Sequence, residues 1–245
     1  MPHNIIISEN LEAVSRAAAE MFVQIGSEAI KRNNRFTVTL SGGSTPKLLF
    51  QILSSEDFHS RINWTKTVFF FGDERHAQPD SKESNYRMAR ENLFEPLEIP
   101  AENVYRWRAE WQSAEEIALD YEKNLTDFFK TELPRFDLIL LGMGADGHAA
   151  SLFPETSALI ETQKLAVANW VKKLDSFRLT FTFPLINNAA NIIFLVGGAE
   201  KAEMLKTILE GEFEPQKFPA QNVNPRGGNL FWLIEKDAAR LLSAD

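Results

Sequence analysis

Four apolar runs of strand length, at residues 36–40, 67–71, 136–141 and 192–196, punctuate the chain, and each is nearly continuous rather than alternating. A strand with one wet face alternates apolar and polar side chains. One that is apolar throughout must be covered on both faces, as parallel strands between two layers of helices are. Helical patterns fill the intervals. Leu11, Val14, Ala18, Met21, Phe22 and Ile25 recur at steps of three and four, predicting an amphipathic helix over 9–32 with Ser8 as its cap. A second helix opens on the capping box Ser113-Ala114-Glu115-Glu116, continues through Ile117, Tyr121, Leu125 and Phe128, and stops before Pro134. A third carries Met204, Leu205 and Ile208 and ends at Gly211. Strands alternating with helices predict an α/β fold, a mostly parallel central sheet with helices on both sides. The chain has 245 residues, 44% of them apolar, enough to bury a substantial core. No repeat, low-complexity stretch or composition shift marks a linker, so a single domain over 1–245 is expected. Segments 95–112 and 154–177 fit no periodic pattern and read as irregular insertions, with Trp107, Trp111 and Trp170 as packing residues.

The composition excludes several chemistries. There is no cysteine, hence no disulfide, thiolate metal site or cysteine nucleophile. The opening Met-Pro-His-Asn leads directly into Ile5-Ile6-Ile7 without a basic stretch or a long apolar segment, so neither a secretory signal nor a membrane span is expected, and the cytoplasm is the expected location. A formal charge of −8 argues against nucleic acid as a partner, because phosphate backbones call for clustered Lys and Arg. A small anionic substrate remains compatible with it, provided a few cations gather in one pocket.

Functional signals cluster where strands run into turns, the usual place for sites in such sheets. Residues 141–154 read Leu-Gly-Met-Gly-Ala-Asp-Gly-His-Ala-Ala-Ser-Leu-Phe-Pro directly after an apolar run. The glycines let backbone approach a ligand. Asp146 is expected to cap a following helix, and His148 to lie in its first turn, where the helix dipole would keep the imidazole neutral and able to act as a base. After the strand ending at Leu40 comes Ser41-Gly42-Gly43-Ser44-Thr45-Pro46-Lys47, a glycine turn opening a helix and suited to an anion, though without the spacing of a nucleotide P-loop. Taken alone, it reads equally well as a tight capped turn. The run at 67–71 ends in Gly72-Asp73-Glu74-Arg75. Asp73 is read as a base or orienting carboxylate, Arg75 as an anion contact, and Glu74 as half of a surface ion pair. Ser84-Asn85-Tyr86-Arg87 marks another helix start. Of the four histidines, His3, His59 and His76 read as solvated surface groups. Arg178 and Lys201 are cations near strand or helix ends, each by itself more in keeping with a solvated charge.

Together, in order and at compatible spacing over most of the chain, these segments resemble the 6-phosphogluconolactonases. That family shares a superfamily with glucosamine-6-phosphate deaminases and resembles ribose-5-phosphate isomerases. The resemblance implies a three-layer, Rossmann-like α/β/α sandwich and hydrolysis of 6-phospho-D-glucono-1,5-lactone to 6-phosphogluconate, the second step of the oxidative pentose phosphate pathway, with no metal or organic cofactor. It also implies roles. Gly42, Gly43, Ser44 and Thr45, with Arg75, Arg178 and Lys201, would hold the phosphate. His148 would be the base, with Asp73 and Asp146 orienting it, the water or the sugar hydroxyls. Backbone amides around residues 144–147 are candidates for the oxyanion site. The segment before Arg178, Val171-Lys172-Lys173-Leu174-Asp175-Ser176-Phe177, lacks the proline expected in relatives.

Two alternatives differ in chemistry. The deaminases of the superfamily use a further glutamate a few residues beyond the histidine, whereas here no carboxylate precedes Glu155. A sugar-phosphate sensor would be expected to carry a DNA-binding module, for which there is no room ahead of Ile5. The expected partner is therefore a small sugar-phosphate lactone, bound by a monomer or small homo-oligomer with no nucleic acid or membrane.

Overall fold

The computed structural model describes residues 4–243. His3 lies outside the described residues. Nine strands occur in chain order: β1 (Asn4–Ser8), β2 (Phe36–Leu40), β3 (Thr67–Phe71), β4 (Asp73–Arg75), β5 (Leu138–Gly142), β6 (Ala166–Val171), β7 (Ser176–Phe181), β8 (Asn191–Val196) and β9 (Asn229–Glu235). The main helices are α1 (Leu11–Asn33), α2 (Ser44–Leu53), α3 (Asn85–Ala89), α4 (Ala114–Phe129), α5 (Phe183–Ile186), α6 (Ala202–Glu210) and α7 (Lys236–Ala239).

Six strands form a wholly parallel sheet in the order β1-β9-β8-β5-β2-β3. Its two faces can be read from consecutive residues of β3, whose side chains point to opposite sides. Phe69 meets Trp64 and Phe94, on the side where Phe22 of α1 packs edge-on against Phe36 and at a tilt against Trp64. Phe70 meets Phe128 and Phe129 of α4 together with Phe136. The α/β/α sandwich follows from this two-sided burial, which is what the unbroken apolar runs required.

Local boundaries follow caps. Ser113 accepts from the Glu116 amide at 3.2 Å and starts α4 as its capping box predicts. Helix α1 starts two residues later than expected, because Ser8 is taken up by β1, where it pairs with Glu235. Asn10 caps instead, its side chain accepting from the Ala13 amide at 2.9 Å. Among the described residues no helix is long and apolar enough to cross a membrane.

Segment 154–177 is not irregular throughout. It contains β6 and the start of β7, an antiparallel hairpin that joins β4 in a separate three-stranded sheet. Trp107 is buried, stacks on Tyr121 at 3.9 Å and donates to the Phe71 carbonyl at 2.9 Å, a packing role as expected. Trp111 and Trp170 are instead largely exposed, at 36% and 47%.

The sheet order places the functional segments. From β2 the chain steps to β3 on one side, and β5 then pairs with β2 on the other. The reversal opens a crevice between the C-terminal ends of β2 and β5, the position where open α/β sheets bind ligands. The Ser41–Thr45 and Gly142–His148 turns leave the sheet at those two ends.

Candidate active site

No helix follows β5. Residues 143–155 form turns held by short bridges from Ala149 to Met143 and to Leu152. The Gly144 amide donates to the His148 carbonyl at 2.9 Å and the Gly147 amide to the Gly144 carbonyl at 3.0 Å, with Gly147 at a φ of +80°. Asp146 is therefore not a helix cap, and no helix dipole acts on His148. The carboxylate folds back instead. Asp146 Oδ1 is hydrogen bonded to His148 Nδ1 and accepts from the His148 amide at 3.4 Å, while Oδ2 pairs with the Lys173 ammonium. Burial alone would raise the Asp146 pKa, but His148 and Lys173, through hydrogen bonds and charge, hold it well below the usual carboxylate range. An ionised carboxylate only accepts, so Nδ1 carries the proton that binds it, and Nε2 is the ring nitrogen left to face the cavity.

The fit is tight. A Cβ on Gly144 would lie 2.1 Å from His148 Nδ1 and 2.7 Å from Asp146 Oδ1. Gly144→Ala is expected to displace the imidazole and, with His148 as the expected base, to lower kcat by about 10²-fold, the usual cost of a misplacement near 1 Å. Steady-state kinetics with unchanged kcat would show that the ring position does not matter.

His148 and Asp146 open onto a cavity of about 530 Å³ whose wall includes Asp73, Arg75, Lys173 and Arg178. Arg75 and Arg178 are register partners across the antiparallel β4–β7 pair. Like charges directly opposed are destabilising in a sheet. Burial, followed by the charge of Arg75, lowers the Arg178 pKa. Its guanidinium bonds only neutral groups, Ser176 Oγ at 2.9 Å and the Phe177 carbonyl at 3.2 Å. Among the described residues neither arginine has a carboxylate salt-bridge partner, although Glu83, Asp73 and Glu74 act on Arg178 through charge, and two such facing guanidiniums are suited to an anion. Asp73 is buried, and its Oδ2 accepts from Ser151 Oγ at 2.8 Å, which ties β4 to the histidine turn.

Glu74 corrects the expectation of a surface ion pair, being only 2% exposed. Its carboxylate accepts from the amides of Arg75, Asn85 and Tyr86, each at 2.8 Å, and from Ser84 Oγ at 3.1 Å. Burial pushes its pKa up and the three amides pull it down, with a net rise. Asn85 extends this clamp to the first glycine turn. Its Nδ2 donates to the Asp73 carbonyl at 3.0 Å, and a Cβ on Gly42 would lie 1.9 Å from its Oδ1.

With this geometry in place, comparison with known proteins decides the ancestry. The profile of the family described as glucosamine-6-phosphate isomerases/6-phosphogluconolactonase matches residues 9–232. The chain belongs to this family. It is 41% identical over 219 residues to a 6-phosphogluconolactonase of Synechocystis and 39% identical over 219 residues to one of Nostoc, each match covering 88% of both chains. Among solved structures, the 6-phosphogluconolactonase from Trypanosoma cruzi is 28% identical and superposes with a TM-score of 0.88 over 99% of this chain and 98% of the other.

Of the residues singled out in the sequence, this family member brings Asp73, Arg75, Asp146, His148 and Arg178 around one cavity. Gly43, at φ +111°, lines an adjoining cavity of about 420 Å³ that shares Arg75. Gly42 is packed on Asn85, Ser44 is exposed at the first turn of α2, and Thr45 is buried. Lys201 lines neither of these two cavities. It is half-buried at the start of α6, and burial lowers its pKa. Its turn nonetheless adjoins the first glycine turn, since a Cβ on Gly197 would lie 3.6 Å from Thr45 Oγ1. Within residues 144–147 the amides of Gly144 and Gly147 are committed to the turn, leaving those of Ala145 and Asp146 as oxyanion candidates. His59 is exposed, whereas His76 is half-buried with Nε2 on the Trp111 carbonyl at 2.7 Å. Sequence reasoning missed Lys173, Phe153, Ser151 and Glu74. Only proximity to the Asp-Gly-His segment could have pointed to Phe153 and Ser151, and nothing local marks Lys173 or Glu74.

Proposed function

We propose that this chain hydrolyses 6-phospho-D-glucono-1,5-lactone to 6-phospho-D-gluconate. The observation that carries this reading is the cavity in which the Asp146-bound imidazole of His148 and the opposed guanidiniums of Arg75 and Arg178 face the same space, in a chain 41% identical to a protein of that name. The arginines, with the 42–45 turn and with Lys201 from the turn that adjoins it, hold the phosphate. Because the phosphate is remote from C1, its binding energy positions the carbonyl rather than being consumed by the chemistry. His148 Nε2 takes a proton from a water whose oxygen adds to C1, and Asp146 stabilises the resulting imidazolium. The tetrahedral oxyanion is met by the Ala145 and Asp146 amides. As the C1–O5 bond breaks, His148 returns the proton to O5, releasing the acid with a free 5-hydroxyl. No atom changes oxidation state and one base suffices, so the scheme uses neither metal nor organic cofactor.

Residues 149–153, Ala-Ala-Ser-Leu-Phe, bring no second carboxylate beside His148 for moving a proton between C1 and C2, which favours hydrolysis over amino-sugar isomerisation. All the groups invoked belong to one chain, so a monomer suffices, and the cytoplasm, where sugar phosphates are made and used, is the proposed location. The test supplies fresh lactone and, separately, glucosamine 6-phosphate, following acid release above the spontaneous rate against ammonia release. Acid release is expected. Ammonia release without enhanced lactone opening would refute the assignment.

Arg178→Ala is expected to raise KM roughly ten- to hundredfold, the value of one or two charge-assisted hydrogen bonds shared by ground and transition states, with kcat little changed. An unaltered KM would move the phosphate elsewhere.

A further inference from the structure

The β6–β7 hairpin does more than complete the small sheet. Its tip, a short turn over Lys172–Leu174 followed by Asp175 at φ 45°, carries Lys173 and Leu174 into the wall of the His148 cavity. Two groups hold the His148 imidazole. One is the Asp146 carboxylate at Nδ1, and the other is the Phe153 ring, stacked on the imidazole at 4.1 Å between centroids and 29° between planes. Both are engaged by the same ammonium. Lys173 Nζ pairs with Asp146 Oδ2, the oxygen that the histidine does not use, and lies 4.7 Å from the centre of the Phe153 ring. Asp146 and Phe153 belong to the turns after β5, whereas Lys173 comes from a hairpin whose second strand, β7, pairs with β4, outside the central sheet.

We propose that Lys173 is a positioning residue for His148, acting through Asp146 and Phe153 to fix the direction of the Nε2 lone pair. The physical reason lies in the freedom that a carboxylate with one partner retains. Asp146 sits next to the exposed Ala145 with its side chain 30% accessible, and His148 occupies only Oδ1. Without a second partner the carboxylate can rotate about its Cβ–Cγ bond and exchange oxygens, and each such excursion releases the imidazole. An ammonium on Oδ2 removes that freedom. The cation–π contact holds Phe153 against one face of the imidazole. Lys173 side-chain accessibility is 52%, so its removal leaves no buried group behind and need not disturb the fold. The lysine contributes orientation rather than substrate affinity, and it makes assembly of the active site depend on docking of the hairpin tip.

The inference rests on the lactonase reading for its kinetic readout but not for its spectroscopic one. Wild type, Lys173→Met and Lys173→Arg are compared in lactone hydrolysis and by the downfield proton resonance of the His148 Nδ1–H hydrogen bond. Lys173→Met is expected to lower kcat about tenfold or more with KM within twofold of wild type, and to broaden or abolish the Nδ1–H signal through exchange with water. Lys173→Arg, which retains a cation able to reach both groups, is expected to recover kcat to within about threefold and to restore the signal. A full-strength resonance with unchanged kcat in Lys173→Met would overturn the proposal, as would a loss confined to KM. Should the wild-type chain open no lactone, the functional reading fails by itself. The resonance then still decides the positioning role, with an unaltered signal in Lys173→Met counting against it.

Discussion

His148→Ala is expected to lower kcat for lactone opening by about 10²–10⁴-fold, the range for a positioned acid–base group, and to leave the affinity for 6-phosphogluconate nearly unchanged. The expected size follows from the dual role proposed for the imidazole, taking the proton from water and returning it to the ring oxygen. The affinity is expected to be spared because the arginines proposed to hold the anion stand on β4 and β7, tied to the histidine turn through Asp73 and Ser151 but not dependent on the imidazole itself. Steady-state hydrolysis, corrected for spontaneous opening, and product binding by calorimetry check the two halves separately. Turnover within a few-fold of wild type would remove His148 as the base. A parallel collapse of product affinity would show that the side chain binds rather than catalyses.

Glu74→Ala is expected to destabilise the fold by about 3–5 kcal/mol, the usual cost of stripping the partner from a buried network built around a charge. Three backbone amides and the Ser84 hydroxyl lose their acceptor together. For a chain of 245 residues this corresponds to a melting temperature lower by roughly 6–20 °C. Glu74→Gln is expected to be milder, about 1–3 kcal/mol, because whichever way the amide turns at least one N–H is left facing another donor. Since Asp73 and Arg75 flank the lost carboxylate, surviving Glu74→Ala protein should also show a raised KM. A thermal melt within about 2 °C of wild type would mean that water replaces the carboxylate without penalty.

The sequence expectations divide according to the range of the interactions that decide them. Strands at 36–40 and 67–71 were legible to the residue, and the start of α4 at Ser113 equally so, because continuous burial and a capping box are written in neighbouring positions. The start of α1 was displaced because Ser8 pairs with Glu235, more than two hundred positions away, and Asn10 takes over the cap. The helix expected after Asp146 is absent because the two glycine amides close a turn on His148 and Gly144 carbonyls, and the carboxylate satisfies the imidazole rather than a helix end. The β6–β7 hairpin escaped notice because its strands mix buried and exposed positions without a clean period, and because the partner that organises it, β4, lies about a hundred residues earlier.

Residue order alone therefore determined the layered α/β architecture, the glycine turns at strand ends and the histidine they carry, since each depends on periodicity or on local backbone freedom. Tertiary structure alone decided that Arg75 faces Arg178, that Glu74 is the buried anchor of α3, and that Lys173 reaches Asp146. These are electrostatic contacts between segments distant in sequence, and the energy of a charge depends on what surrounds it, which no local pattern encodes.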